Sequence, residues 1–238
     1  MTLNHPLDHP VWSALTSRQA HLALGDGQAL RFDPDYALFA AAADDSIEAT
    51  QALAALNVSP HGMGLVEAGD MPLPPGAKVR ASAACVQMVA SSLNPVGKAV
   101  AFEPLGEADA AEMLALATLT VPGPFFEKTH RLGDFIGVRD GGRLVAMAGE
   151  RMKPDGFTEV SGVCTHPDHR GRGYAGALMR VVTARILERG EQAFLHAYAA
   201  NTATIALYET LGFRVRTRIT YTVLEGPAQA SLSRRERA

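Results

Sequence analysis

The sequence predicts a mixed α/β protein, and three observations carry that expectation. Segments of strand periodicity alternate with segments whose apolar residues recur every three or four positions along most of the chain. One such strand-to-helix passage, residues 160–179, reads VSGVCTHPDHRGRGYAGALM and turns through a basic, glycine-rich corner. Apolar residues make up 47% of the 238, enough to bury a substantial core without disulfide or metal staples.

Composition narrows the function classes. The formal net charge is -3 and no long Lys/Arg block occurs, which argues against a dedicated nucleic-acid binder, because phosphate neutralisation by many cations supplies most of that affinity. The basic cluster Arg234, Arg235 and Arg237 reads as a solvated terminus. Cys85 and Cys164 are the only cysteines and are read as reduced, as in a reducing compartment. The opening MTLNHPLDHP lacks a cationic segment followed by an apolar one, so no secretory signal is expected. The longest unbroken apolar run, 36–43, is too short to cross a bilayer. A cytoplasmic protein with no membrane partner is expected.

In chain order, residues 10–33 read as a short helix followed by a hairpin, 19–24 and 28–32, around Gly25-Asp26-Gly27. Asp33 and Pro34 can start a helix carrying Tyr36, Leu38, Phe39 and the alanine run. A second helix spans about 46–56, with Ser46 as cap and Ile47, Leu53 and Leu56 as anchors. Strands are expected at 62–68 and 78–90, separated by the proline-rich connector 71–76. The turn-rich segment 91–97 marks a domain boundary. It divides a smaller N-terminal α/β domain, 1–96, from a second domain, 97–225, and a flexible tail follows at 226–238.

Beyond the boundary, 99–104 reads as a strand and 107–120 as a helix stopped by Pro122-Gly123-Pro124. A short helix is expected at 126–132, then a hairpin, 135–139 and 143–152, around Asp140-Gly141-Gly142. Residues 157–165 alternate as a strand, with Val160, Gly162 and Cys164 on one side. The helix at 172–189 carries Ala175, Leu178, Met179, Val182, Ile186 and Leu187 and ends at Gly190. A strand at 194–199, a helix at 202–210 and β structure at 213–223 complete the chain.

The glycine-rich corner admits three chemistries. A helix that begins after such a turn exposes unpaired N–H groups and the positive end of its dipole, which seats a phosphate. Gly171-Arg172-Gly173-Tyr174-Ala175-Gly176 fits the dinucleotide fingerprint G-x-G-x-x-G, but five residues, 166–170, intervene after the strand. The next strand also ends in Ala199-Ala200-Asn201, with no acid for a ribose. Cys164, His166, Asp168 and His169 have metal-ligand chemistry, yet no second cluster supplies ligands at structural-zinc spacing, so no metal is expected.

The third reading joins two motifs. Arg170-Gly171-Arg172-Gly173-Tyr174-Ala175 resembles the R/Q-x-x-G-x-G/A signature of the GCN5-related N-acetyltransferases (GNAT). Residues 201–213, NTATIALYETLGF, resemble that family's N-x-x-A-x-x-x-Y-x-x-x-G-F motif. The resemblance covers roughly residues 98–224 and is closest to the FR47-like branch. It implies a central mixed, mostly antiparallel sheet flanked by helices, and transfer of an acetyl group from acetyl-CoA to a primary amine. Coenzyme A is thus the implied cosubstrate.

By the same resemblance, the backbone of Val163, Cys164 and Thr165 meets the pantetheine arm, while Arg170, Gly171, Arg172, Gly173, Tyr174 and Ala175 form the pyrophosphate turn. Tyr208 is the implied general acid beside the coenzyme sulfur, and Asn201 contacts the coenzyme or caps the following helix. Glu159 lies eleven residues before Arg170, where histone-acetylating relatives place a glutamate that acts on the acceptor through water. His196 and Glu150 are substitutes for that base, and a mid-strand histidine more often is a satisfied core residue. A non-catalytic coenzyme A-binding module is the alternative. The acceptor, a small molecule or a peptide, is not readable, although 122–126 and 152–157 are candidate pocket loops. Oligomeric state, a homodimer included, stays open, and the N-terminal half carries neither motif, but its similar mixture of strands and helix pairs admits a degenerate copy of the same architecture.

Overall fold

The computed structural model describes residues 5–69, 72–94 and 96–227. Helix α1 (Pro10–Leu15) leads through a 3-10 turn, Ala20–Leu22, into strands β1 (Ala23–Gly25), β2 (Ala29–Phe32) and β3 (Ala40–Ala42). These three strands form a small antiparallel sheet. Helix α2 (Ile47–Ala55) follows, and the Ser46 hydroxyl accepts from the Ala49 N–H at 3.2 Å as its cap. Strands β4 (Met63–Glu67), β5 (Val79–Ala90) and β6 (Glu103–Leu105) precede helix α3 (Ala110–Thr120). Then come β7 (Phe135–Asp140), β8 (Arg143–Glu150), β9 (Phe157–Thr165), helix α4 (Tyr174–Glu188), β10 (Gln192–Tyr198), helix α5 (Thr202–Leu211) and β11 (Arg214–Leu224).

One expected helix is a strand instead. Residues 34–43 close a single turn, in which the Asp33 carboxylate accepts from the Asp35 N–H at 2.9 Å and its carbonyl accepts from Tyr36 and Ala37. The alanine run then extends and pairs with β2, with Ala40, Ala41 and Ala42 wholly buried. Alanine favours a helix only in isolation, and burial of a small, flat strand between two cores overrides that weak preference. Likewise only Glu103 and Pro104 of the strand expected at 99–104 are regular, in β6, which ends at Leu105.

The main sheet has the order β4-β11-β5-β10-β9-β8-β7-β6. Every neighbouring pair is antiparallel except β9 and β10, which run parallel because α4 carries the chain across between them. The sheet is therefore mixed and mostly antiparallel, flanked by helices on both faces. On one face α4 buries Leu178, Met179, Val182 and Ile186 against Ile136, Val145, Val160 and Leu195. On the other, α3 packs Met113, Leu116 and Ala117 beside Phe135, Met147 and Cys164, and the N-terminal elements pack Leu7, Val11, Phe32 and Phe39 beside Phe194 and Ile219.

The connector at 91–97 does not part the sheet. Strand β5 lies between β10 and β11 and hydrogen-bonds to both, and β4 pairs with β11. Strands from either side of the expected boundary thus share one ladder. Met71 of the proline-rich connector and residues 228–238 of the expected tail lie outside the described residues.

Removing residues 1–96 would leave β10 and β11 with an empty slot between them and strip the cover from Phe194 and Ile219. Unpaired strand edges and exposed apolar surface favour association over folding. The fragment 97–238 is expected to show no cooperative thermal unfolding by circular dichroism, whereas a sharp transition would show that it folds alone.

Candidate active site

The site is built where two parallel strands stop pairing. β9 and β10 share only the pairs Phe157–Gln192, Thr158–Ala193 and Glu159–Phe194. Beyond these, β9 continues beside β8 to Thr165 and β10 beside β5 to Tyr198. The β8–β9 register slips between Met147 and Gly149, and Gly162 takes a φ of +63°. A Cβ at Gly162 would lie 2.8 Å from the Phe135 ring, so glycine meets two demands there, a left-handed backbone and close ring contact. The result is a wedge between the strands in which one side of β9 has no strand partner.

Two cavities open into this wedge. The larger, about 820 Å³, is bounded by Val163, Cys164 and Thr165 of β9, by Arg170, Gly171 and Gly173 of the turn, and by the first residues of α4. Gly171 and Gly173 both lie in the left-handed region, at φ +76° and +81°, and no side chain caps the N–H groups of α4. A Cβ on Gly171 would meet nothing within 4 Å, so the turn faces open space. Lys98 donates to the Arg172 carbonyl at 2.9 Å, and Arg180 donates to the carbonyls of Asn94 and Val96. The uncapped helix end and these cations suit a phosphate-bearing group.

The smaller cavity, about 290 Å³, lies deeper in the wedge, between residues 159–163 and 195–198. Val121, Pro122, Gly123 and Pro124 form its mouth, and Phe39 and Tyr221 its far wall. The cavities meet at Pro122, Val163, Met179, Thr204 and Tyr208. Tyr208 packs against Phe213 with ring centroids 6.3 Å apart, and burial raises its phenol pKa, so the hydroxyl stays protonated at neutral pH.

At the floor of the smaller cavity sits a buried charge cluster. Glu159 is 1% exposed and takes both Nε and Nη2 of Arg151 at 2.8 Å. His196 Nδ1 lies 2.9 Å from Glu159 Oε1, and the Met152 N–H donates to Oε2 at 3.4 Å. Gln87 Nε2 donates to the Leu7 carbonyl at 2.8 Å and approaches His196 Nε2 at 3.1 Å, while Arg216 Nε donates to Gln87 Oε1 at 2.6 Å. With Gln87 as donor, these partners assign the neutral imidazole with its proton on Nδ1. Burial pushes the Glu159 carboxyl up, but Arg151 and His196 overcome it and hold the group at about 2.

The sequence-derived residues separate into three groups. Val163 and Tyr208 stand at the junction, and Thr165, Arg170, Gly171, Gly173, Tyr174 and Ala175 line the larger cavity. The Cys164 side chain turns under α3, and burial pushes its thiol up to about 11, so only its backbone serves the wedge. Arg172 is turned aside, its guanidinium 3.4 Å from Asp140. Asn201 accepts from the Thr204 N–H at 3.2 Å as the cap of α5 and borders the smaller cavity only. Glu159 is buried and paired, not an exposed strand residue. Glu150 is also buried, paired with Arg189 at 2.7 Å and Lys153 at 2.8 Å, away from both cavities. Arg151, Gln87, Val121, Tyr198 and Tyr221 were missed, since no local spacing links them to the motifs. Among the described residues no group of three or more His, Cys, Asp or Glu side chains could hold a metal ion, and no helix is long and apolar enough to cross a membrane.

Known proteins resemble this arrangement. The family model described as FR47-like protein matches residues 135–223. A structure described as an acetyltransferase of the GNAT family from Novosphingobium aromaticivorans is 45% identical, with 94% of this chain and 100% of that one covered at a TM-score of 0.85. A GCN5-related N-acetyltransferase from Kribbella flavida shares the fold at 17% identity, TM-score 0.61, covering 92% of this chain and 97% of that one. A GCN5-related N-acetyltransferase-like protein from Streptococcus suis does so at 15% identity and TM-score 0.55, covering 91% and 94%. No curated protein matches the chain.

Glu159→Gln leaves the Arg151 charge buried without its counter-charge, so unfolding free energy in urea is expected to fall by about 3–5 kcal/mol. The pH dependence has a definite sign. Because the folded carboxyl lies below its ordinary value of 4.5, its stabilisation is complete above that value and is lost as pH falls toward about 2. Wild-type thermal stability should therefore drop more steeply than that of the variant across this window, and parallel curves would overturn the assignment.

Proposed function

The chain belongs to the GNAT family of acetyltransferases, and from that premise we propose that it transfers an acetyl group from acetyl-CoA to a primary amine by direct attack. One observation carries the reading: a cavity with an uncapped helix end and a second, smaller cavity meet at the Tyr208 side chain. A donor and an acceptor entering from opposite ends would come together there.

Backbone N–H groups of 171–175, with Lys98 and Arg170, would receive the diphosphate of the coenzyme, and the unpaired side of Val163 and Thr165 its amide-bearing arm. Arg172 has a lesser part, being held toward Asp140. The thioester supplies an activated acetyl carbon. Attack by the amine nitrogen forms the C–N bond and breaks the C–S bond, and the Tyr208 hydroxyl gives its proton to the departing sulfur. Proximity and orientation within the wedge supply the remainder of the acceleration.

Glu159, the implied base, has a different part in this reading. A carboxyl held at about 2 has little affinity for a proton at neutral pH, and its oxygens already accept from Arg151, His196 and the Met152 N–H. The lone pair of His196 Nε2 is taken by Gln87. The amine therefore releases its proton to solvent, and Glu159 acts as the fixed charge that holds the cavity floor.

Following thiol release from acetyl-CoA across a panel of amines tests the proposal. Tyr208→Phe should lower turnover roughly a hundredfold or more while leaving calorimetric affinity for coenzyme A near that of the wild type. Unchanged turnover would remove Tyr208 as the acid, and coenzyme A binding without turnover on any amine would favour a binding module. Gly173→Val puts a β-branched residue at a left-handed position facing the turn, so affinity for coenzyme A should fall about tenfold or more.

A further inference from the structure

Resting on the acetyl-transfer reading, we propose that the acceptor is a small primary amine whose nitrogen is borne on an apolar, aromatic body, with neither a carboxylate nor a second ammonium group. Size is the first ground. A cavity of about 290 Å³ lies at the lower edge of the range for ligand pockets, so it suits an amine of one ring and a short arm.

Charge is the second. Among the described residues, the only cationic side chain in its lining is Arg151, which gives two donors to Glu159 and lays its guanidinium over the Phe39 ring at 4.6 Å. A substrate carboxylate would be desolvated there with no counter-charge free to meet it. Glu159 is likewise the only anionic side chain in the lining, and four donors occupy its two oxygens. A second ammonium would find no open carboxylate.

The walls supply the third. Three of the protein's five tyrosines, Tyr198, Tyr208 and Tyr221, line this one cavity together with Phe39. At the mouth, Tyr198 is 52% and Val121 77% exposed, large apolar surfaces that an entering ring would cover. Val121 stands at φ +49°, ψ +57°, the left-handed cap position after α3 where glycine is the usual residue. Among the described residues it is the one non-glycine with positive φ. A branched side chain held against its backbone preference at a cavity mouth, with little packing of its own, has its use in what it touches when the cavity is filled.

Calorimetric titration of the full-length protein, saturated with coenzyme A, separates the outcomes using 2-phenylethylamine, phenylalanine and spermidine. The aromatic amine should bind about tenfold or more tighter than the other two. Val121→Gly should weaken 2-phenylethylamine about tenfold while thermal stability is kept or raised, since glycine removes the strain. Equal or tighter binding of phenylalanine or spermidine, no binding of 2-phenylethylamine, or unaltered affinity in Val121→Gly would each overturn the inference. Acetylation is read separately: 2-phenylethylamine that binds with the expected selectivity, while neither it nor any other amine of the panel is acetylated, would sink the transferase proposal and leave the chemistry of the cavity standing.

Discussion

The Arg151–Glu159 ion pair sits at the last rung of the parallel β9–β10 pairing in the main sheet, and the architecture of the site depends on that placement. Burying two charges is unfavourable unless every lone pair and proton finds a partner. Here the carboxylate is satisfied from β10 by His196 and from the end of β8 by Arg151 and the Met152 N–H. Gln87 carries the network on to β5 and, through Leu7, to the N-terminal segment. Below this knot the strands are locked in register. Above it they are free to separate, and both cavities occupy the separation.

Division of labour along the chain follows from the same geometry. The turn and helix α4 form a local unit, since Gly173 ends the turn and Tyr174 begins the helix. The deeper cavity, by contrast, draws Phe39, Val66 and Cys85 from the N-terminal half, Val121 from the end of α3 and Tyr221 from the last strand. The larger cavity thus centres on one stretch, residues 163–180, whereas the smaller one draws its walls from most of the fold.

That contrast also explains what could be read in the sequence. The glycine turn, the Asn201 cap and Tyr208 were legible because each rests on spacing within a few turns of helix or one strand. Ser46 was legible as a cap for the same reason. Glu159 was read as the base because of its distance from Arg170, and its pairing with His196 and Arg151 was not legible, since nothing in its neighbours' spacing announces them. The alanine run at 40–43 looked helical because its preference for extension comes from two cores closing on it. The connector at 91–97 has the composition of a boundary, yet β5 before it is held by strands that follow it.

The insertion of β5 between β10 and β11 has a consequence for the life of the chain on the ribosome. A protein is made from its N-terminus, so β5 emerges long before either of its neighbours exists. Its buried residues Val86 and Met88 and its two open edges must wait through the synthesis of five more strands and three helices before β11 closes the second edge. Such late, long-range closure makes for a high contact order, slow folding and a nascent chain in need of shelter from aggregation. The smaller cavity, walled partly by Cys85 of β5 and Tyr221 of β11, comes into being only when nearly the whole polypeptide has been released.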